Sequence, residues 1–156
     1  MSKSLKRVRA EIAAHGLDCP ILEVDMPTNT ALQAAAALGC EVAQIVKSVI
    51  LLGQESGRAT LFLTSGAARV DVARAAELAG ERLGKADAAL IREQTGFAIG
   101  GVSPFGHIAP IRAFMDESLL RFDLIWAAAG TPRHMFSISP SLLAEKTGAR
   151  IGAFTE

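Results

Sequence analysis

Residues 45–52, Ile-Val-Lys-Ser-Val-Ile-Leu-Leu, constrain this chain more than any other stretch. The run is short, apolar and rich in β-branched residues, which reads as a strand. Side chains alternate across a strand, so Ile45, Lys47, Val49 and Leu51 share one face and Val46, Ser48, Ile50 and Leu52 the other. Each face is apolar apart from one residue, so the strand must be covered on both sides. Lys47 then needs an explanation, because an ammonium taken out of water is costly unless a partner or a cavity receives it. In one reading its stem lies along apolar neighbours while the charge reaches the surface or a carboxylate. In the other it lines a pocket and aims its cation at an anionic or carbonyl group of a ligand.

The rest of the chain supplies the covering layers. Leu5, Val8 and Ile12 stand at helical spacing within 4–15, with Gly16 as a stop. A short strand is expected at 20–24, then a loop at 26–29 in which Thr28 or Asn29 caps an alanine-rich helix ended by Gly39. The turn at 53–57 leads into a strand at 59–64, making an antiparallel hairpin with 45–52. Asp71 caps a helix over 72–79 and Asp87 another over 88–94. Strands follow at 108–115, 123–128 and 134–138, with a turn at 117–121. Ser139 and Pro140 open a helix that Gly148 ends, before a last strand at 150–154. Strands arrive in hairpins and in pairs between helices, so the pattern predicts a mixed-sheet α+β fold rather than a doubly wound one. One domain over 1–156 accommodates it.

Composition narrows the function classes. Hydrophobic residues make up 50% of the chain, but the excess is alanine in helical segments and no continuous apolar run is long enough to cross a bilayer. Lys3, Lys6, Arg7 and Arg9 are not followed by an apolar signal core, so secretion is not expected and a cytoplasmic location is. Cys19 and Cys40 are too few and too far apart for a zinc knuckle or a redox pair and are expected to be small buried hydrophobes. Lys plus Arg and Asp plus Glu are both 16, which removes a global basic field and confines any nucleic-acid contact to local cations. The candidates are Lys3, Lys6, Arg7, Arg9, Arg112 and Arg133. There is no nucleophile elbow, Cys-His pairing or clustered carboxylate pair to support covalent acyl transfer or metal hydrolysis.

A second signal lies at residues 100–107, Gly-Gly-Val-Ser-Pro-Phe-Gly-His. Glycine permits close backbone approach and positive φ, and Pro104 stiffens the turn. Such a loop can aim N–H groups into one concavity, suited to an anion or a developing oxyanion. It is neither a Walker loop nor a dinucleotide fingerprint.

Taken together, QIVKSVILL, the GxxxP pattern from Gly100 to Pro104 continuing into FGH, and GTPRHMF at 130–136 resemble the YbaK and prolyl-tRNA synthetase-associated editing-domain family over nearly the whole chain. The resemblance implies a compact α+β domain with a mixed, strongly curved sheet flanked by helices, which hydrolyses the ester of mischarged aminoacyl-tRNA. A length of 156 residues leaves no room for synthetase domains, so the free-standing, trans-editing type is expected. By position, Lys47 matches the family's essential lysine, and Gly100 and Gly101 join it as candidate catalytic positions. Ser103 and Pro104, in the loop holding the ester carbonyl and terminal adenosine, and His134, where some members use a histidine to shape the aminoacyl pocket, are the candidate substrate-binding positions. No metal, cofactor or covalent nucleophile is carried over.

The expected substrate is tRNA-Pro or a related tRNA bearing alanine, cysteine, serine or 2-aminobutyrate. The acceptor end is the partner, a synthetase is a candidate second partner, and neither membrane nor DNA is expected. An aminoacyl ester is already activated, so orienting water and stabilising the oxyanion would suffice, each backbone donor contributing about 3 kcal/mol. The alternative is a non-catalytic RNA-end or small-ligand binding module on the same fold. A nucleotide or phosphate hydrolase ranks third for want of a metal constellation.

Overall fold

The computed structural model describes residues 2–156. The central run forms β2 (Val46–Gly53), which pairs antiparallel with β3 (Ala59–Ser65) in a register from Val46 opposite Ser65 to Leu52 opposite Ala59. Every residue of β3 is buried. On its other side β3 runs parallel to β5 (Arg112–Asp116), and β5 parallel to β8 (Arg150–Gly152). The short β4 (Leu83–Lys85) joins the far edge of β2 and completes a five-stranded sheet in the order β4-β2-β3-β5-β8.

Both faces of β2 are covered, as its pattern requires. Val46 and Ile50 enter the main core with Leu61 and Leu63, under α1 (Lys3–Ala14), whose Leu5, Val8 and Ile12 are all buried, and α4 (Ala88–Thr95). Val49 and Leu51 pack on the other face with Phe62, Phe114 and Phe154 against α3 (Val72–Ala79). There Phe62 stacks on Phe114 at 5.2 Å and meets Phe154 edge-on at 5.0 Å, arrangements that suit the aromatic quadrupole.

The expected mixed α+β architecture is present, but its strands divide between two sheets. β1 (Ile21–Glu23), β7 (His134–Ile138) and β6 (Ile125–Ala128) form a separate antiparallel sheet in the order β1-β7-β6. Among the described residues, the two sheets meet at one bridge, between Ile45 and Trp126. β4 reaches only Leu51, Leu52 and Gly53 of β2. Among the described residues, the first half of the outer edge of β2 therefore has no flanking strand, and the sheets part there. α2 (Ala31–Leu38) packs over this gap, with Ala34 and Ala35 buried beside Ile45 and Met135. α5 (Pro140–Thr147) opens on Ser139 and ends at Gly148, as its caps predict.

Several expectations are corrected. Thr30, not Thr28 or Asn29, caps α2 through a capping box with Gln33, because the Thr28 hydroxyl donates to the Pro132 carbonyl at 2.7 Å. The strand expected from residue 108 begins at Arg112; before it the Ile108 amide turns back to the Thr95 carbonyl, and Pro110 lacks a ladder donor. β4 has no strand signature, since Gly84 interrupts a run of only three residues. Cys19 and Cys40 are half-buried at the margins of the core rather than within it. Three cations proposed for RNA are internally engaged, Arg133 donating to the Asp25 carbonyl at 2.7 Å. Arg7 donates to the Gly106 and Gly96 carbonyls, each at 2.8 Å, and Arg112 to Thr60, the Ala79 carbonyl and Glu81.

The Arg112–Glu81 pair, at 2.9 Å with the Glu81 side chain only 7% exposed, ties β5 to the segment after α3. Hydrogen bonds from the Ser56 amide, then from the Ser56 side chain, Arg112 and the Glu55 amide, hold the Glu81 carboxyl at about 2 against an ordinary 4.5. The folded state thus binds this proton more weakly than the unfolded chain. The contribution is complete above pH 4.5 and disappears as pH falls toward 2. Glu81→Gln should be less stable than wild type at pH 7, and denaturant melts should show the difference closing through that window; a gap that persists at pH 2 would contradict the assignment.

Candidate active site

A cavity of about 200 Å³ opens where the sheets part. Four consecutive residues, Ile45, Val46, Lys47 and Ser48, line it, although successive side chains point to opposite faces of a strand. The cavity therefore follows the free edge of β2 rather than either face. Thr28, Asn29, Thr30, Ala31 and Ala34 supply the wall from the start of α2, Gly100 and Val102 a second wall, and Ala128 and Met135 the side toward the small sheet. Lys47 is the one ionisable residue among these.

The Lys47 ammonium donates to the Ala68 carbonyl, in the loop between β3 and α3. The carboxylate that acts on its charge is Asp116, whose two oxygens already accept the Ser65 and Ser118 amides at 3.0 and 2.9 Å. A neutral carbonyl, not an ion pair, thus receives the charge. Burial is the main reason that the Lys47 pKa falls below 10.5, repulsion from Arg69 adds to it, and Asp116 opposes it. A cation so placed, partly desolvated at a cavity wall, is suited to attract an anionic group or a developing oxyanion.

Lys47 and Gly100 are brought together at this cavity. Gly100 has φ +92°, and a Cβ built on it would lie 3.6 Å from Asn29 Oδ1, which shows how closely the loop approaches the α2 wall. Gly101 is buried, and its amide is committed to the Ala98 carbonyl at 3.1 Å. Of the two expected backbone donors, Gly100 is the one at the cavity. A Cβ on Gly101 would approach the Gly130 carbonyl oxygen to 2.9 Å, so this glycine lets the loop pack on the segment leading into β7.

The expected substrate-binding residues lie elsewhere. Ser103 is fully buried; its hydroxyl accepts the Phe105 amide at 3.2 Å, and its carbonyl accepts from His107 Nε2 at 2.7 Å. Pro104 is buried and borders a different hollow, with Glu11 and His107. His107 packs edge-on against Phe97 at 5.0 Å, and burial holds its pKa below 6.5. His134 precedes Met135 on β7, so its side chain leaves the opposite face; Nδ1 lies 2.6 Å from Thr131 Oγ1.

The residues that sequence reasoning missed form the α2 wall and Met135. Their signal was present in Thr28-Asn29-Thr30, three polar residues ahead of an alanine run, which also reads as an ordinary cap. Ser48 was visible as the one polar residue on its face of β2. Asn29 and Ser48 bring side-chain hydrogen-bonding groups to the cavity wall beside Lys47.

Comparison with known proteins bears on this arrangement. A profile of the aminoacyl-tRNA editing domain matches residues 25–146. The uncharacterized protein YwhH of Bacillus subtilis (strain 168) is 28% identical over 148 residues, 95% of this chain and 94% of that protein. A crystal structure of a protein proposed as a trans-editing enzyme for prolyl-tRNA synthetase superposes with a TM-score of 0.92 at 43% identity, covering 100% of this chain and 99% of the other. That of hypothetical protein APE2540 superposes with a TM-score of 0.90 at 32% identity, covering 96% and 99%. The profile match takes in the α2 wall, Lys47, the 100–107 loop and Met135, which is every wall of the cavity, and the chain belongs to the aminoacyl-tRNA editing domain family.

Proposed function

We propose that this protein is a trans-acting deacylase that hydrolyses the ester of tRNA-Pro, or a related tRNA, carrying a small non-cognate amino acid. The observation that carries the reading is the cavity itself: one lysine and one loop glycine meet at a space otherwise walled largely by small or apolar residues. The aminoacyl group enters between α2 and β7, with the ester carbonyl toward Gly100 and Lys47. Water attacks the carbonyl carbon, the bond to the ribose oxygen breaks, and the proton from water leaves with that oxygen, the vicinal ribose hydroxyl serving as relay. The products are the free amino acid and uncharged tRNA. The relative described for prolyl-tRNA synthetase, at 43% identity, supports tRNA-Pro as the first substrate to test.

Ala31, Ala34 and Ala128 leave room that larger residues would fill. A single-turnover panel on tRNA-Pro charged with alanine, serine, cysteine, 2-aminobutyrate or proline tests the reading. Ala34→Leu should penalise the larger of the accepted amino acids relative to alanine by about 10- to 200-fold, the range for a methylene-scale change in an apolar pocket. An unaltered ranking in a folded variant would place the aminoacyl group outside this cavity.

A further inference from the structure

The loop that receives the Lys47 ammonium carries a second cation that the deacylation scheme leaves unused. It is tied to the cavity wall where the Gly66 amide donates to the carbonyl of the lining residue Ile45 at 2.7 Å, and it runs so close that a Cβ on Gly66 would fall 2.8 Å from Ala31 Cβ. Ala68 then accepts from Lys47, and Arg69 follows immediately. The C-terminal segment holds the far side, where the Glu156 amide donates to the Arg69 carbonyl at 2.9 Å and Val70 bridges Thr155. The backbone of this loop is thus anchored on both sides, while the Arg69 side chain is exposed. Among the described residues, its guanidinium has no carboxylate within ion-pairing distance.

Arg69 follows the residue whose carbonyl receives the Lys47 ammonium and repels that charge, a cost recovered when an anion joins the two cations. A guanidinium suits a phosphate in particular, since its planar fork can give two parallel hydrogen bonds to the oxygens. If the terminal ribose carries its ester into the cavity, the phosphate on the 5′ side of the same nucleoside must pass the cavity mouth. We propose that Arg69, beside Lys47, binds the phosphodiester that precedes the terminal nucleoside of the acceptor strand, so that Arg69 positions the RNA end for hydrolysis while Lys47 faces the ester. This assignment rests on the deacylase reading above.

The test compares two minimal substrates, an aminoacyl-adenosine and the same compound bearing a 5′-phosphate, with full aminoacyl-tRNA. Wild type should prefer the phosphorylated compound in kcat/KM. Arg69→Ala should lower that preference about tenfold, chiefly through KM, and Arg69→Lys should restore part of it. On full tRNA, the slope of log affinity against log salt should become shallower by about 1 in Arg69→Ala. A preference that Arg69→Ala leaves intact would overturn the assignment while the deacylase reading stands. Wild type that hydrolyses none of the three substrates would overturn both.

Discussion

Lys47→Met should lower single-turnover deacylation at least about a hundredfold while leaving the protein as stable as wild type or more so. The activity loss follows from position: Lys47 is the ionisable residue on the cavity wall, and misplacing a substrate in a partly dry site can alone cost about a hundredfold. The stability result follows from burial. The ammonium is half-buried against a neutral carbonyl and beside Arg69, so the charge is a liability to the fold that methionine removes at similar length. A pH signature separates the two states. The folded chain binds the Lys47 proton more weakly than the unfolded chain, whose value is about 10.5, so wild type gains stability as pH rises through the window below it. Lys47→Met should lack that gain. Severe destabilisation with a proportionate loss of activity would make Lys47 structural, and a folded variant with wild-type turnover would remove it from the mechanism.

Gly106→Ala should be the most damaging small substitution in the 100–107 loop. Gly106 has φ +84°, and a Cβ there would lie 2.7 Å from Val8 N and 2.9 Å from Arg7 C. Those atoms belong to the backbone of α1 and cannot rotate away. The same residue anchors the loop to that helix, its carbonyl accepting from Arg7 Nε at 2.8 Å and its amide donating to Glu11 Oε1 at 2.9 Å. Left-handed strain and a backbone clash together should cost about 3 kcal/mol, a fall in Tm on the order of 10 °C for a chain of this size. Gly100→Ala provides the contrast. Its φ is also positive, but the nearest atom to its Cβ is Asn29 Oδ1 at 3.6 Å, so its cost should be about 1 kcal/mol of backbone strain. Equal melting temperatures for the two variants would contradict this account of the loop.

The sequence made the scaffold readable where periodicity and caps agree. The alternation of 45–52 required covering layers on both faces, and Val46 and Ile50 on one side and Val49 and Leu51 on the other meet them. Asp71, Asp87 and Ser139 each cap the helix that they precede. Lys47 stood out because a lone charge in a two-sided apolar strand demands a reason. The parting of the sheets was not legible, because strand pairing depends on partners distant in the chain and no local pattern states that β4 stops at Leu51. The cavity was consequently incomplete: Met135 stood in an expected strand, Ala34 in an expected alanine-rich helix, and Asn29 read as a candidate cap. Ser103 and Pro104 looked like ligand groups because a polar glycine-rich loop looks the same whether its hydrogen bonds turn inward or outward. Here the Ser103 hydroxyl turns inward, to Phe105.

The most direct measurement of the central claim follows the aminoacyl ester itself, with excess purified protein mixed with alanyl-tRNA-Pro and both free alanine and the RNA recovered. The account predicts that alanine is released far faster than by spontaneous hydrolysis, that the tRNA remains intact and can be recharged, and that Lys47→Met abolishes the acceleration while still melting as a folded protein. Alanyl-tRNA bound by the wild-type protein with its ester lifetime unchanged, across the small amino acids, would contradict the account and leave a binding module on an editing-domain fold.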